Sequence, residues 1–128
     1  MRIKRFEDLE CWQQARSLVN MIYKLTKKRD FSKDFRLRDQ ITGAGVSIVN
    51  NIAEGFDSQS NNEFIRFLGI SRRSISEVEN CLYVALDQEY IDKTEFQETF
   101  EQCEKTKQIT DGFLRYLRKY RREQVQRK

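Results

Sequence analysis

Residues 37–55 read LRDQITGAGVSIVNNIAEG, and the placing of their apolar side chains decides the fold. Leu37, Ile41, Ala44, Ile48 and Ile52 recur at steps of three and four, the period of a helix with one buried face. At about 100° per residue, Val46, Val49 and Ala53 fall away from that seam, with Asn50 beside them, so the helix is apolar on two sides. One intramolecular core does not cover both, and the second sector is expected to be a self-association surface. Gly43 and Gly45 flank Ala44 in mid-helix. A glycine there costs about 1 kcal/mol relative to alanine, so the pair marks either the close approach of another helix or a kink.

Between the two apolar sectors runs a polar ladder of Gln40, Ser47, Asn51 and Glu54. Buried polar groups must find partners, and Glu54 needs a cation or donor: Arg72, Arg66 or a residue of a second subunit. Gly55 is then expected to stop the helix in a left-handed conformation.

The rest of the chain repeats the helical pattern. Leu9, Trp12, Ala15, Leu18 or Val19, Ile22 and Leu25 predict a helix over 7–29, and the central stretch one over 33–54. Ser60-Asn61-Asn62-Glu63 and Asp92-Lys93-Thr94-Glu95 have the form of capping boxes, opening helices over 60–88 and 92–122, with a basic tail over 121–128. The chain of 128 residues has no proline and only five glycines. These features predict a single all-α domain, an antiparallel up-down four-helix bundle.

Several function classes drop out. The chain has no histidine, which removes the usual general base at neutral pH and the Glu-x-x-His ligands of di-iron bundles. Ser47, Ser71 and Ser74 have no base beside them, and Glu54, Glu77 and Glu79 do not make a recognisable metal set. No catalytic residue, cofactor or metal is expected. Cys11, Cys81 and Cys103 are far apart and read as reduced packing residues. No run of about 18 apolar residues occurs, and MRIKRFEDLE lacks the apolar centre of a signal peptide, so the expectation is a soluble, cytoplasmic protein with no membrane partner.

Charge carries the functional signal. Residues 1–5 contribute +3 through Arg2, Lys4 and Arg5, and residues 115–128 contribute +6, leaving −5 for residues 6–114 of a total of +4. Arg115, Arg118, Lys119 and Arg122 recur at helical spacing as one basic face, to which Arg121, Arg127 and Lys128 add. Such a face can neutralise phosphates without reading sequence, or it can be a solvated basic tail.

One further pattern combines Phe6-Glu7-Asp8-Leu9, Trp12 and Ala15; Gln40-Ile41 and Ser47-Ile48; Asn51-Ile52-Ala53-Glu54-Gly55-Phe56; Glu63-Phe64 with Phe67-Leu68; and Ser74 with Glu77 and Glu79. Over roughly residues 6–90 the chain thereby resembles the four-helix-bundle family encoded in intervening sequences of large-subunit ribosomal RNA genes, related to the accessory variability proteins of diversity-generating retroelements. It departs from that pattern at Phe31-Ser32-Lys33-Asp34-Phe35, where a proline is common, and at Arg73, where a glycine is usual. The resemblance implies a homo-oligomer, a pentameric ring, with no catalysis. It further implies a nucleic-acid partner, structured RNA in the first instance. The alternative it offers is a scaffold role as accessory to a reverse transcriptase.

Overall fold

The computed structural model describes residues 3–127, with side-chain surroundings for residues 3–123. It is all-helical, with no strand among the described residues: a 3-10 turn (Phe6–Asp8) precedes α1 (Glu10–Thr26), α2 (Arg29–Lys33), α3 (Phe35–Asp57), α4 (Asn61–Asp87) and α5 (Lys93–Arg127). Each of the four long helices packs along two others. Gly55 of α3 lies against Phe64 and Phe67 of α4 while Ser47 bonds Ser74, so α3 and α4 run in opposite directions. The bonds Asn61 to Leu117 and Lys107 to Glu79 likewise make α4 and α5 antiparallel, and those of Gln102 to Gln14 and of Lys28, just past α1, to Glu95 do so for α1 and α5.

The helical seams supply the core. Leu18, Ile22, Ile41, Ile48, Ile52, Leu68, Ile75, Val78 and Leu82 have no exposed surface. Cys11, Cys81 and Cys103 are free and buried. On α5 the inward face also carries Thr99, Thr106 and Thr110, whose hydroxyls donate to the carbonyls four residues earlier. That satisfies each hydroxyl without a second helix.

The ends of the helices depart from the sequence pattern for local reasons. The expected helix over 7–29 is broken at Leu9, which is extended (φ −73°, ψ 129°), and it ends at Thr26. Lys28 turns the chain into the short α2, so that Phe31 is buried and stacks on Tyr90 at 5.5 Å. Asp34 then caps α3 by accepting from the Leu37 N–H, while its other oxygen accepts from the Tyr90 hydroxyl.

Gly55 does not stop α3. The helix runs on to Asp57, and Gln59 takes the left-handed conformation at φ 55°. Gly55 is a glycine because α4 is so close: a Cβ there would lie 2.8 Å from Phe64 Cδ1 and 2.9 Å from Phe67 Cβ. α4 ends in a left-handed Glu89 (φ 62°) with the Tyr90 N–H bonded to the Ala85 carbonyl, a six-to-one closure. The Asp92/Glu95 capping box closes in both directions. At Ser60 only the serine half forms, because Glu63 turns to Arg66.

Candidate nucleic-acid interface

The last turns of α5 hold the basic face. Leu114 and Leu117 are buried, which turns Arg115, Arg118, Lys119 and Arg122 outward within an arc of about 100°. All four are exposed, as is Arg121, whose guanidinium donates to the Asn62 side chain at 3.4 Å. Among the described residues none of these five cations has a carboxylate within ion-pair distance. Just upstream, Lys107 is bound to Glu79 and Glu104, and Asp111 to Arg72. Among the described residues Lys93 and Lys105 are exposed and unpaired as single positions farther up the helix, so the clustered unpaired charge starts at Arg115.

The N-terminal segment lies over the same region. Ile3, Asp8 and Leu9 share a cleft of about 290 Å³ with Ile109 and Phe113, which places residues 3–9 about one turn before Arg115. Lys4 and Arg5 are exposed, but Arg5 is ion-paired to Glu7 and that pairing holds its pKa above the ordinary value. Arg2 and Lys128 lie outside the described residues, as does the side chain of Arg127.

Tyr116 and Tyr120 border the basic arc and were not singled out by residue type alone. They are 51% and 46% exposed. Their four-residue spacing beside Arg115 and Lys119 was the available signal. Phe96 and Phe100 are half-buried against the core and stack at 5.3 Å, with the exposed Tyr83 ring 4.9 Å from Phe96.

The polar ladder of α3 divides. Ser47 Oγ lies 3.0 Å from Ser74 Oγ, and the Asn51 amide donates to the Ser47 carbonyl and hydroxyl, so these two belong to the α3–α4 contact. Ser71 adds a bond to the Ile48 carbonyl. Gln40 and Glu54 are exposed. Neither cation expected for Glu54 pairs with it: Arg66 is held by Glu63 and lies over the Phe67 ring, and Arg72 is held by Asp111. Arg73, where the family pattern has glycine, is exposed.

The second apolar sector also divides. Gly45 is buried against α1, where a Cβ would meet Ile22 Cδ1 at 3.0 Å, so its smallness serves a contact within the protomer and not one between subunits. Val49 is partly packed on the core. Val46 and Ala53 are half-buried and Asn50 is exposed, while a Cβ on Gly43 would meet nothing within 4 Å.

Between α4 and α5 lies a buried charge cluster. Burial, and then the neighbouring Glu104, push the Glu79 carboxyl above its ordinary pKa, against the opposing pull of Lys107. Lys107 is itself raised despite its burial, through its bonds to Glu79 and Glu104. No group of three or more His, Cys, Asp or Glu among the described residues could hold a metal ion. No helix among them is long and apolar enough to cross a membrane.

The fold is similar to a crystal structure of a protein with unknown function from the S23 ribosomal protein family of Bacteroides thetaiotaomicron, with a TM-score of 0.73 and 23% identity over 81% of this chain and 97% of that one. No curated protein matches the chain. Residues 7–112 match the sequence profile described as 23S rRNA-intervening sequence protein. On that match the chain belongs to the 23S rRNA-intervening sequence protein family.

Proposed function

We propose that the protein is a non-enzymatic four-helix bundle that assembles into a ring and binds nucleic acid, structured RNA first, through the basic face of α5 and the N-terminal segment. The observation that carries this reading is the set of exposed cations Arg115, Arg118, Lys119, Arg121 and Arg122, free of carboxylate partners among the described residues. Cations already paired inside a protein have little left for phosphate, whereas these can release the counterions of a polyanion. Copies of one weak basic face on a ring would add avidity. Val46, Val49, Asn50, Ala53 and Gly43 on the outer side of α3 are the proposed contact between copies, supported by half-exposed apolar side chains and a glycine with open space above it.

The test is a fluorescence titration of a structured RNA fragment at increasing salt. Affinity should fall steeply from low to moderate salt, and replacing Arg115, Arg118, Lys119 and Arg122 with glutamine should weaken binding about equally across sequences. Absence of binding at low salt, or binding indifferent to salt, sinks the reading. Light scattering coupled to size exclusion tests assembly, for which a clean monomer at micromolar concentration is the refuting result.

One observation favours a second reading, a scaffold or adaptor such as a partner of a reverse transcriptase. Tyr83 (51% exposed) forms an apolar surface with Phe96 and Phe100, away from the basic end. Exposed aromatic patches of this kind are suited to protein contacts.

A further inference from the structure

We infer that the basic face of α5 takes unpaired nucleic-acid strands, with bases stacked on Tyr116 and Tyr120, in preference to continuous duplex. This rests on the phosphate-binding reading above and adds to it the form of the nucleic acid.

The face has a repeat: Arg115-Tyr116 and Lys119-Tyr120 recur one turn apart, or about 6 Å along the axis, each ring about 100° around the helix from the cation before it, so that the two rings line one flank of the cation arc. A strand lying along the helix can place phosphates on the cations and bases on the rings. Tyr116 is also anchored. It stacks on Phe113 at 6.1 Å and an interplanar angle of 17°; Phe113 meets Phe64 edge-on at 5.2 Å, and Phe64 meets Phe56 edge-on at 6.1 Å. This file of rings runs from the α3–α4 contact to the surface, so the outermost ring is held in place before any ligand arrives. A preset ring loses little conformational freedom when a base lands on it, and every base has a π face to offer. Duplex hides those faces in its own stack and can use only the cations. An exposed aromatic flank along a cation arc, both outside the buried Leu114 and Leu117, complements a polyanion better than it does a protein surface.

The experiment uses the whole chain with three probes: oligouridine of about 16 nucleotides, oligodeoxythymidine of the same length, and an RNA duplex of the same length. The variants are Tyr116→Leu/Tyr120→Leu, Tyr116→Phe/Tyr120→Phe and Arg115→Gln/Lys119→Gln, each checked for helicity by circular dichroism. The wild type should bind both single strands more tightly than duplex. The leucine pair should lose about tenfold or more on single strands, with duplex binding and the salt slope unchanged, and the phenylalanine pair should retain wild-type affinity. The glutamine pair should weaken all three probes and lower the salt slope.

Single-strand affinity unchanged in the leucine pair overturns the stacking inference, and if only the glutamine pair weakens binding the phosphate reading survives it. A leucine pair that alters the assembled mass while leaving affinity intact overturns it in favour of a contact between copies. No binding of any probe by the wild type at low salt overturns both readings together.

Discussion

Replacing Lys107 with methionine tests the α4–α5 charge cluster most directly. Glu79 is 8% exposed, its Oε1 accepts from Lys107 Nζ, and its Oε2 has no hydrogen-bond partner. Glu104 lies 3.3 Å from the same ammonium. Methionine keeps most of the stem and removes the charge, leaving two carboxylates facing one another with only Arg72, already bonded to Asp111, as a nearby cation. Breaking a buried pair costs about 3–5 kcal/mol, and since the Lys107 side chain retains some exposure the lower end, about 3 kcal/mol, is expected. For a domain of this size that is a fall in Tm of about 10 °C near pH 7. The pH dependence follows from Glu79, whose pKa is raised in the fold by burial first and Glu104 second. A raised acid pKa means the native state holds its proton longer than the unfolded chain does. Its contribution to stability is therefore present at low pH and is lost as pH rises from the ordinary carboxylate value through the folded one. Without Lys107 that folded value moves higher still, so acidification to about pH 5 should recover a large part of the lost Tm. Thermal melts of the wild type and Lys107→Met at both pH values measure this. A deficit under about 3 °C at neutral pH, or one of the same size at both pH values, would refute the reasoning.

Gly55→Ala should lower the denaturation midpoint, because a Cβ within 2.9 Å of Phe67 Cβ forces α4 outward at about 1–3 kcal/mol, more than the roughly 1 kcal/mol of helix propensity gained. Gly43→Ala meets no atom within 4 Å and should stabilise the protomer by up to about 1 kcal/mol while reducing the assembled mass in light scattering. A Gly43→Ala variant of undiminished assembly removes that residue from the proposed contact. Asp92→Ala deprives the Glu95 N–H of its cap and should cost about 1 kcal/mol in chemical denaturation, whereas Ser76→Ala, on an exposed position of α4, should change little.

The apolar seams were readable in the sequence because a 3.6-residue period depends only on each helix and a dry side. Leu37, Ile41, Ile48 and Ile52 on α3 and Ile75, Val78 and Leu82 on α4 all lie inward as their spacing predicts. What the period cannot carry is the identity of a partner on another helix. For Glu54 the sequence offers Arg66, Arg72 or a residue of a second subunit, and both arginines are engaged elsewhere, by Glu63 and Asp111. Glu79 finds Lys107, 28 positions away, through the alignment of α4 with α5. Glycines misled for a related reason. In sequence a glycine reads as a stop or a small surface, but Gly55 and Gly45 are set by the distance to a neighbouring helix, which local pattern does not encode. The basic face was legible because like charges at helical spacing stand out. Its tyrosines were not, since an aromatic residue on an amphipathic helix suits a core seam as readily as an exposed face.

The three buried thiols turn the molecule into its own opening gauge. Cys11 sits on α1, Cys81 on α4 and Cys103 on α5, and burial raises all three thiol pKa values, that of Cys11 to about 12. The closed protein thus presents almost no thiolate to an alkylating reagent, and modification must wait for a helix to leave its neighbours. Comparing labelling at the three positions would rank the helices by the free energy needed to expose each. No engineered probe is required, because the chain already carries one on three of its four long helices.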